Sequence, residues 1–276
     1  MIDIHTHMLR PSWWGEEYDR NWRGPYGQAW REPTVEEFDA AMAEAGVTFA
    51  AVFGITARVA GVHSPTAEVA EFCARLRTPN AVFMALDPSD PDWRRAFDEG
   101  LDLGAKGIKA YPVMARFDPS DAALDPFYAA ADRHGLPILW HMGATPSAEG
   151  DLAVSRPLLI DKVARRFGGL RQIIAHMGHP WQRDTVQVLR KNPNVYADIS
   201  GMWTRSLDGY LALVNAQEWG VVDKLLFGSD YPLWTPQVTV DGLHGLTRMG
   251  AEGFPRVLPE TVETIINKDP RPLLGL

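Results

Sequence analysis

Short aliphatic and β-branched runs recur along the chain, separated by longer stretches in which apolar residues return every three or four positions. The short runs are nearly continuous in apolar character, which is typical of parallel strands covered on both faces. We predict eight strands from them: Ile2–His5, Thr48–Gly54, Ala81–Asp87, Gly107–Tyr111, Pro137–His141, Gln172–His176, Val195–Ser200 and Lys224–Asp230.

The intervening stretches have the periodicity of amphipathic helices. We predict eight of these: Thr34–Ala45, Pro65–Arg77, Trp93–Leu103, Asp125–His134, Leu158–Phe167, Thr185–Lys191, Leu207–Trp219 and Pro259–Ile266. Thr34, followed by acidic residues, has the character of an N-cap. Gly46, Gly104 and Gly135 stand just past predicted helix ends, where a left-handed residue is favoured.

Eight strand–helix alternations in 276 residues predict an α/β fold, a single-domain (β/α)8 barrel of TIM type covering residues 1–276. A doubly wound open sheet is the alternative. The chain has no glycine-rich dinucleotide fingerprint after the first strand, which counts against that alternative.

Composition narrows the class of protein. Hydrophobic residues make up 46% and charged residues 22%, as in ordinary globular domains, and the net charge of −8 argues against nucleic-acid or anionic-membrane partners. The single cysteine, Cys73, excludes an internal disulfide and is predicted to be a small core residue. We expect a cytoplasmic protein without a leader or a membrane span, since the chemical motif begins at residue 2.

Five predicted strands end in or near residues that bind metals or transfer protons. These are His5, Lys109, His141, His176 and Asp230. In an extended strand His5 and His7 point to the same face, with Asp3 behind them. A barrel presents the carboxyl ends of all its strands at one mouth. Because a buried imidazole or carboxylate is costly without a partner, we predict a metal site there.

The chain resembles the amidohydrolase superfamily, and the resemblance rests on five motifs. They are Ile2-Asp3-Ile4-His5-Thr6-His7, Gly107-Ile108-Lys109, Ile138-Leu139-Trp140-His141, Ile173-Ile174-Ala175-His176-Met177-Gly178 and Leu226-Phe227-Gly228-Ser229-Asp230-Tyr231-Pro232. The branch that looks most similar is amidohydrolase-2, which includes aminocarboxymuconate-semialdehyde decarboxylase and several lactone hydrolases. The likeness runs from residue 2 to about residue 232.

The resemblance implies the roles of the strand-end residues. It implies that His5, His7, His141 and Asp230 bind one divalent metal, usually zinc, and that His176 is an acid–base or charge-stabilising residue. Three imidazoles with a carboxylate suit Zn²⁺, although Mn²⁺ is also compatible. Zinc lowers the pKa of bound water to roughly 7, so hydroxide forms at neutral pH, with Asp230 as the proton acceptor.

Lys109 has two interpretations. In other branches of the superfamily a lysine at this place is carbamylated and bridges two metals. In the branch that this chain resembles, the site is usually mononuclear and the lysine makes charge contacts. We expect one metal, with Lys109 as a cation that binds a substrate carboxylate.

The expected mouth of the barrel is rich in aromatic and basic residues. We predict that residues 8–33 form an active-site loop or lid. Seven of the ten tryptophans fall in segments that follow strands: Trp13, Trp14, Trp22, Trp30, Trp181, Trp203 and Trp234. Half of these are expected to be structural. Further candidates for substrate contacts, besides Trp181 and Trp203, are Arg31, Arg58 and His179.

Two enzymatic hypotheses remain open, with a third that is not enzymatic. The first is hydrolysis of a small lactone, ester or amide, cyclic or aromatic and carboxylated. The second is non-oxidative decarboxylation of an unsaturated or aromatic acid. The retained His5 tilts the choice modestly towards hydrolysis. The third is a barrel that binds metal but has lost catalysis, and the presence of every expected catalytic position counts against it. The expected partner is a small molecule, and a homodimer is compatible with the resemblance.

Overall fold

The short apolar runs form a parallel sheet in the computed structural model, which describes residues 1–27 and 31–276. The strands are β1 (Ile2–His7), β2 (Phe49–Phe53), β3 (Thr56–Ala57), β4 (Val62–His63), β5 (Asn80–Ala85), β6 (Gly107–Ala110), β7 (Ile138–Trp140), β8 (Gln172–Ile174), β9 (Val195–Asp198) and β10 (Leu225–Leu226). All except β3 and β4 belong to one eight-stranded sheet in chain order, while β3 and β4 form a small antiparallel pair.

The two ends of this sheet meet. The backbone N–H of Ile4 donates to the carbonyl of Phe227 at 3.1 Å, and that of His7 donates to Tyr231 at 2.7 Å. Thr6 and Tyr231 are paired in parallel. The segment after β10 therefore lies against β1, and the predicted (β/α)8 barrel in a single domain is confirmed.

Helices surround the barrel. They are α1 (Glu16–Tyr26), α2 (Val35–Glu44), α3 (Thr66–Ala74), α4 (Trp93–Asp102), α5 (Pro112–Ala115), α6 (Asp125–Arg133), α7 (Leu158–Arg166), α8 (Gln182–Lys191), α9 (Ser206–Glu218), α10 (Pro236–Leu246), α11 (Pro259–Asn267) and α12 (Arg271–Leu274). Thr34 caps α2 through a complete capping box with Glu37. Each of the eight predicted helices is present within a few residues, whereas α1, α5, α10 and α12 were not predicted.

The barrel strands form an apolar cluster of their own. Its large members include Ile4, Phe53, Phe83, Leu139, Ile173 and Leu226. Gly107 makes room for the Phe83 ring, because a Cβ at Gly107 would lie 2.5 Å from ring atoms. The Phe53 ring lies 5.2 Å from the His5 ring and 4.7 Å from the His7 ring, so the candidate site rests directly on this core.

Two smaller expectations are also addressed by the structure. Cys73 is buried and free, as predicted, and burial raises the pKa of its thiol to about 12. Within the described ranges, the helices lack the combination of length and apolar character needed to cross a bilayer.

Candidate metal centre and substrate cavity

The two histidines of β1 meet the aspartate that follows β10. His5 and His7 are alternate residues of one strand, and the backbone N–H of Asp230 donates to the carbonyl of His5 at 2.8 Å. Behind them the Asp3 carboxylate accepts the N–H groups of His5 and Ser229, each at 3.1 Å. These bonds join the first strand to the last and hold the Asp230 side chain over the imidazoles.

Three potential ligand atoms converge there. His5 Nε2 lies 3.3 Å from His7 Nε2 and 3.3 Å from Asp230 Oδ1, and His7 Nε2 lies 3.1 Å from the same oxygen. Ligand atoms of His5, His176 and Asp230 also fall within 4.8 Å of one another. His5, His7 and Asp230 are buried, with exposed fractions of 0, 5 and 6%, and His176 is partly buried.

This donor set fits a divalent metal. His5 Nδ1 contacts Asp198 Oδ2 at 2.8 Å, so the Nδ1 proton is shared with that carboxylate and the Nε2 lone pair faces Asp230. Two electron-rich atoms, His5 Nε2 and Asp230 Oδ1, thus lie 3.3 Å apart. A cation between them would stabilise an arrangement that is otherwise repulsive.

The electrostatics of the pocket favour the protonation states that metal binding requires. Burial lowers the pKa of His5 and of His7, which keeps both imidazoles neutral. Burial alone would raise the pKa of Asp230, but the neighbouring His5, His7 and His176 outweigh it and leave the pKa well below its ordinary value. Neutral imidazoles and an ionised carboxylate are the forms that ligate metals.

His141 and His176 lie side by side next to this group, with ring centroids 4.9 Å apart. His141 Nε2 is 3.1 Å from the carbonyl oxygen of Ala144, and its ring stacks on Tyr111 at 3.9 Å. The structure thus brings His5, His7 and Asp230 into direct contact, with His176 within reach. It places His141 beside them with Nε2 engaged by a backbone carbonyl. Metal ligation by His141 stays a prediction.

Lys109 lies deeper in the barrel and does not line the cavity described below. Its Nζ is buried and, among the described residues, has no hydrogen-bond partner; it lies 5.0 Å from the Phe53 ring and 5.7 Å from the Tyr111 ring. Burial lowers the pKa of Lys109 to about 8, and the charges of Asp198 and Asp230 oppose that shift. Its predicted contact with a substrate carboxylate remains a prediction.

A cavity of about 230 Å³ opens in front of the candidate metal centre. Its polar lining includes His7, His141, His176, His179, Arg205 and Asp230, and its apolar lining includes Trp22, Ile55, Tyr111, Met142, Leu233 and Trp234. Trp22 comes from α1, within the predicted lid of residues 8–33, and donates to Ser147 Oγ at 3.2 Å. The segment predicted to be a lid thus supplies part of the cavity wall, and its action as a lid stays a prediction.

Several predicted substrate contacts lie away from this cavity. Arg31 binds Glu37 at 2.7 and 3.0 Å, and Arg58 binds Asp90 at 2.5 Å. Trp181 packs under Arg156, and Trp203 packs against Trp234. None of Arg31, Arg58, Trp181 and Trp203 is among the described residues that line the cavity, whereas His179 is. Trp30 lies outside the described residues.

Sequence reasoning missed three residues at the site. Asp198 and Ser200 contact His5 and His176, and Tyr111 stacks on His141. Asp198 could have been predicted from the sequence, because it is the last residue of β9 and the other ligand-type residues also stand at strand ends. Tyr111 follows β6 directly and carries no comparable signal, since aromatic residues at strand ends usually belong to the core.

Comparisons with known proteins agree with this architecture. The family model described as amidohydrolase (Amidohydro_2) matches residues 2–276. No curated protein matches the chain significantly.

Three solved structures illustrate the structural likeness. An uncharacterised TIM-barrel protein from Bordetella bronchiseptica has a TM-score of 0.75 at 22% identity. A probable 2-pyrone-4,6-dicarboxylic acid hydrolase from Acinetobacter baumannii, with citric acid bound, has a TM-score of 0.70 at 14% identity. A 2,6-dihydroxybenzoate decarboxylase in complex with 2,6-dihydroxybenzoate has a TM-score of 0.69 at 14% identity. Each alignment covers 100% of this chain and 99% of the other.

At these identities the solved structures establish a common fold, and hydrolases and decarboxylases share it. The family model, which matches nearly every residue, establishes kinship. The chain belongs to the amidohydrolase-2 family of enzymes.

Proposed function

We propose that the protein is a metal-dependent hydrolase of a small lactone, ester or amide, cyclic or aromatic and carrying a carboxylate. The main support is the convergence of His5, His7 and Asp230 beside the cavity, in the protonation states that metal ligation needs. Zinc is the proposed ion, because imidazoles with a carboxylate form a borderline-soft donor set, and manganese is compatible with it.

In this proposal His5, His7 and Asp230 hold the ion, with His141 as the further ligand that family membership suggests. A bound zinc would supply Lewis acidity and lower the pKa of water at the site. Asp230 is ionised and accepts the proton of the attacking water, then returns it to the leaving oxygen or nitrogen. Burial lowers the pKa of His176 to about 4, so a neutral His176 orients that water by accepting a hydrogen bond.

The cavity supports a small, flat and anionic substrate. Its volume of about 230 Å³ lies below the usual range for drug-sized ligands, and Trp22, Tyr111 and Trp234 supply aromatic walls. Arg205 also lines it and, within the described part of the chain, takes part in none of the ion pairs; the one hydrogen bond of its guanidinium there is to Thr204 Oγ1 at 3.4 Å. We therefore propose Arg205 as the guanidinium that binds the substrate carboxylate.

Substrate panels test the reaction. We expect the zinc-loaded protein to hydrolyse carboxylated lactones or aryl esters, with activity lost on chelation and restored by zinc. Asp230→Asn should lower kcat by at least about 10²–10⁴-fold, the usual contribution of a general base, because it also removes a proposed metal ligand. A parallel panel of hydroxy- and amino-aromatic acids, monitored for CO₂, covers decarboxylation. Release of CO₂ without hydrolysis in the other panel would replace the hydrolase proposal with the decarboxylase alternative.

Arg205 gives a prediction of its own. Arg205→Gln should raise KM for a carboxylated substrate by roughly 10–100-fold, because a hydrogen bond to a charged group contributes about 1.5–3 kcal/mol. Turnover of the matching uncharged ester should change little. Arg133→Gln, on the surface at the end of α6, is the matched control. Equal effects of Arg205→Gln on charged and uncharged substrates would contradict the assignment.

A further inference from the structure

Asp198, the last residue of β9, and Ser200, two residues later, connect two histidines of the site. Both are completely buried. Asp198 Oδ2 lies 2.8 Å from His5 Nδ1. Asp198 Oδ1 accepts the backbone N–H groups of His176 and Ser200, each at 3.0 Å, and the Ser200 hydroxyl. The carboxylate therefore has four donors around it, from three different residues.

The positions of the protons follow from this geometry. Backbone N–H groups can only donate, so Asp198 Oδ1 is an acceptor, and the single Ser200 hydroxyl proton is directed to it. The Ser200 oxygen then has only lone pairs to offer His176 Nδ1, which lies 2.8 Å away. The Ser200 carbonyl, an obligatory acceptor, lies 3.1 Å from the same nitrogen. His176 Nδ1 must therefore carry the proton.

We propose that Asp198 is a positioning residue that fixes His5 and, through Ser200, His176 as Nδ1–H tautomers. The Nε2 lone pair of His5 is then available to a metal, and that of His176 is available to a water in the cavity. Only the use of these two lone pairs rests on the proposed function, since the tautomers are properties of the metal-free chain. An outer carboxylate or carbonyl that orients a ligating imidazole generally matters for metal affinity.

The tautomers can be observed directly in the metal-free protein. Long-range ¹H–¹⁵N spectra of uniformly labelled protein at neutral pH distinguish Nδ1–H from Nε2–H imidazoles, and His5→Gln and His176→Gln assign the signals. We expect both residues to be neutral Nδ1–H tautomers. An Nε2–H signal from either residue in the wild-type protein would overturn the proposal. This measurement requires no activity and no variant of Asp198.

Asp198→Asn provides the sharper test. The backbone N–H groups of His176 and Ser200 keep an oxygen at the Oδ1 position, because an amide NH₂ facing two donors would be unfavourable. The new NH₂ group must then face His5 Nδ1 and drive the proton to Nε2. We expect the His5 signal to switch tautomer and zinc affinity, measured by chelator competition, to fall by about 10–100-fold.

Asp39→Asn is the matched control, since Asp39 is also a buried aspartate that accepts two backbone N–H groups, but at a distance from the histidines. It should alter neither the tautomers nor zinc affinity. An unchanged His5 tautomer and unchanged zinc affinity in Asp198→Asn would overturn the inference. If no substrate is hydrolysed but the tautomers switch as described, the proposed function fails and this inference stands.

Discussion

At the scale of single residues, two side chains of the candidate site stand on strained backbone. His176 has φ 53° and ψ 28°, Met177 beside it has φ 48°, and Asp230 has φ 65°. This left-handed conformation costs an L-residue roughly 1–2 kcal/mol, because Cβ approaches the following carbonyl. Such strain is commonly found at functional sites, where the surrounding fold holds it in place.

The strain at His176 predicts an unusual order of stability. His176→Gly should be more stable than His176→Ala by about 1 kcal/mol, because only glycine adopts this backbone without strain. Both variants lose the same imidazole, so the comparison isolates the Cβ. Urea unfolding of the metal-free proteins measures it.

The same pair of substitutions at His134 is the control. His134 is the C-cap that follows α6 and has φ −86°, where alanine is not strained. There the alanine variant should be at least as stable as the glycine variant. Alanine equal to or better than glycine at position 176 would show that the left-handed backbone carries no such cost.

The residue scale also shows how far the sequence determined the site. The rule that ligand-type residues close barrel strands found His5 and Asp230, strand alternation added His7, and the structure brings these three together. The rule did not indicate partners for surface arginines, because Arg31 and Arg58 each meet a carboxylate that only tertiary packing brings near. Arg205, in contrast, follows β9 closely and lines the cavity, as expected for a basic residue just past the carboxyl end of a barrel strand.

At the scale of elements, α2 is tied to the connection between α3 and β5 by one side chain. Asp39 of α2 accepts the N–H of Arg77 at 3.0 Å, and the N–H and hydroxyl of Thr78 at 2.9 and 2.8 Å. Asp39 is buried, with 5% of its surface exposed. Asp39→Ala should therefore lower the free energy of unfolding by about 1–3 kcal/mol, the cost of leaving buried donors without a partner.

The pH dependence of this effect has a defined sign. Burial alone would raise the pKa of Asp39, but the donors from Arg77 and Thr78 outweigh it and lower the pKa below its ordinary 3.8. The contribution is thus complete above the unfolded value and is lost as the pH falls through the folded value. The stability gap between wild type and Asp39→Ala should narrow in acid. Asp102→Ala, exposed at the end of α4, should change stability by less than about 0.5 kcal/mol.

Two helices show what sequence patterns left unresolved. α10 has a recognisable start, because Thr235 caps it and Pro236 occupies its first turn, but Gly242 and Gly245 weaken its periodicity. α1 has Gly15 as its N-cap and contains Pro25, so local propensity favours a loop. Trp22 of α1 is buried, and this packing stabilises a helix that propensity alone would not.

At the scale of the whole molecule, metal binding should stabilise the fold. A ligand that binds only the folded state at 100 times its Kd adds about 2.7 kcal/mol. For a chain of this size, with roughly 2 °C per kcal/mol, Tm should rise by roughly 5 °C when zinc is added to the metal-free protein. Differential scanning calorimetry at several zinc concentrations measures this shift.

A variant without the central carboxylate provides the comparison for that shift. Asp230→Asn should fold but show little or no rise in Tm over the same zinc range, because it loses the only anionic member of the converging group. An equal rise in both proteins would place zinc elsewhere on the molecule and would contradict the assigned centre.

The whole fold was more predictable than its interior. Eight apolar runs alternating with eight amphipathic stretches determine a barrel, because parallel strands need helical crossovers and a closed sheet buries its edges. The contents of the cavity depend on loop conformations and on which charged groups pair elsewhere. Loop conformations and charge pairs depend on the tertiary fold, so the full set of residues that line the cavity could not be predicted from patterns along the chain.

The pairing of β1 with the segment around Tyr231 has a consequence for biosynthesis. The two histidines are translated more than two hundred codons before the carboxylate that completes their group. An emerging polypeptide therefore carries an exposed His-x-His pair that cannot yet chelate with full strength. Full-strength metal binding should therefore begin only after the segment around Tyr231 has paired with β1, which makes metal loading a late step in folding.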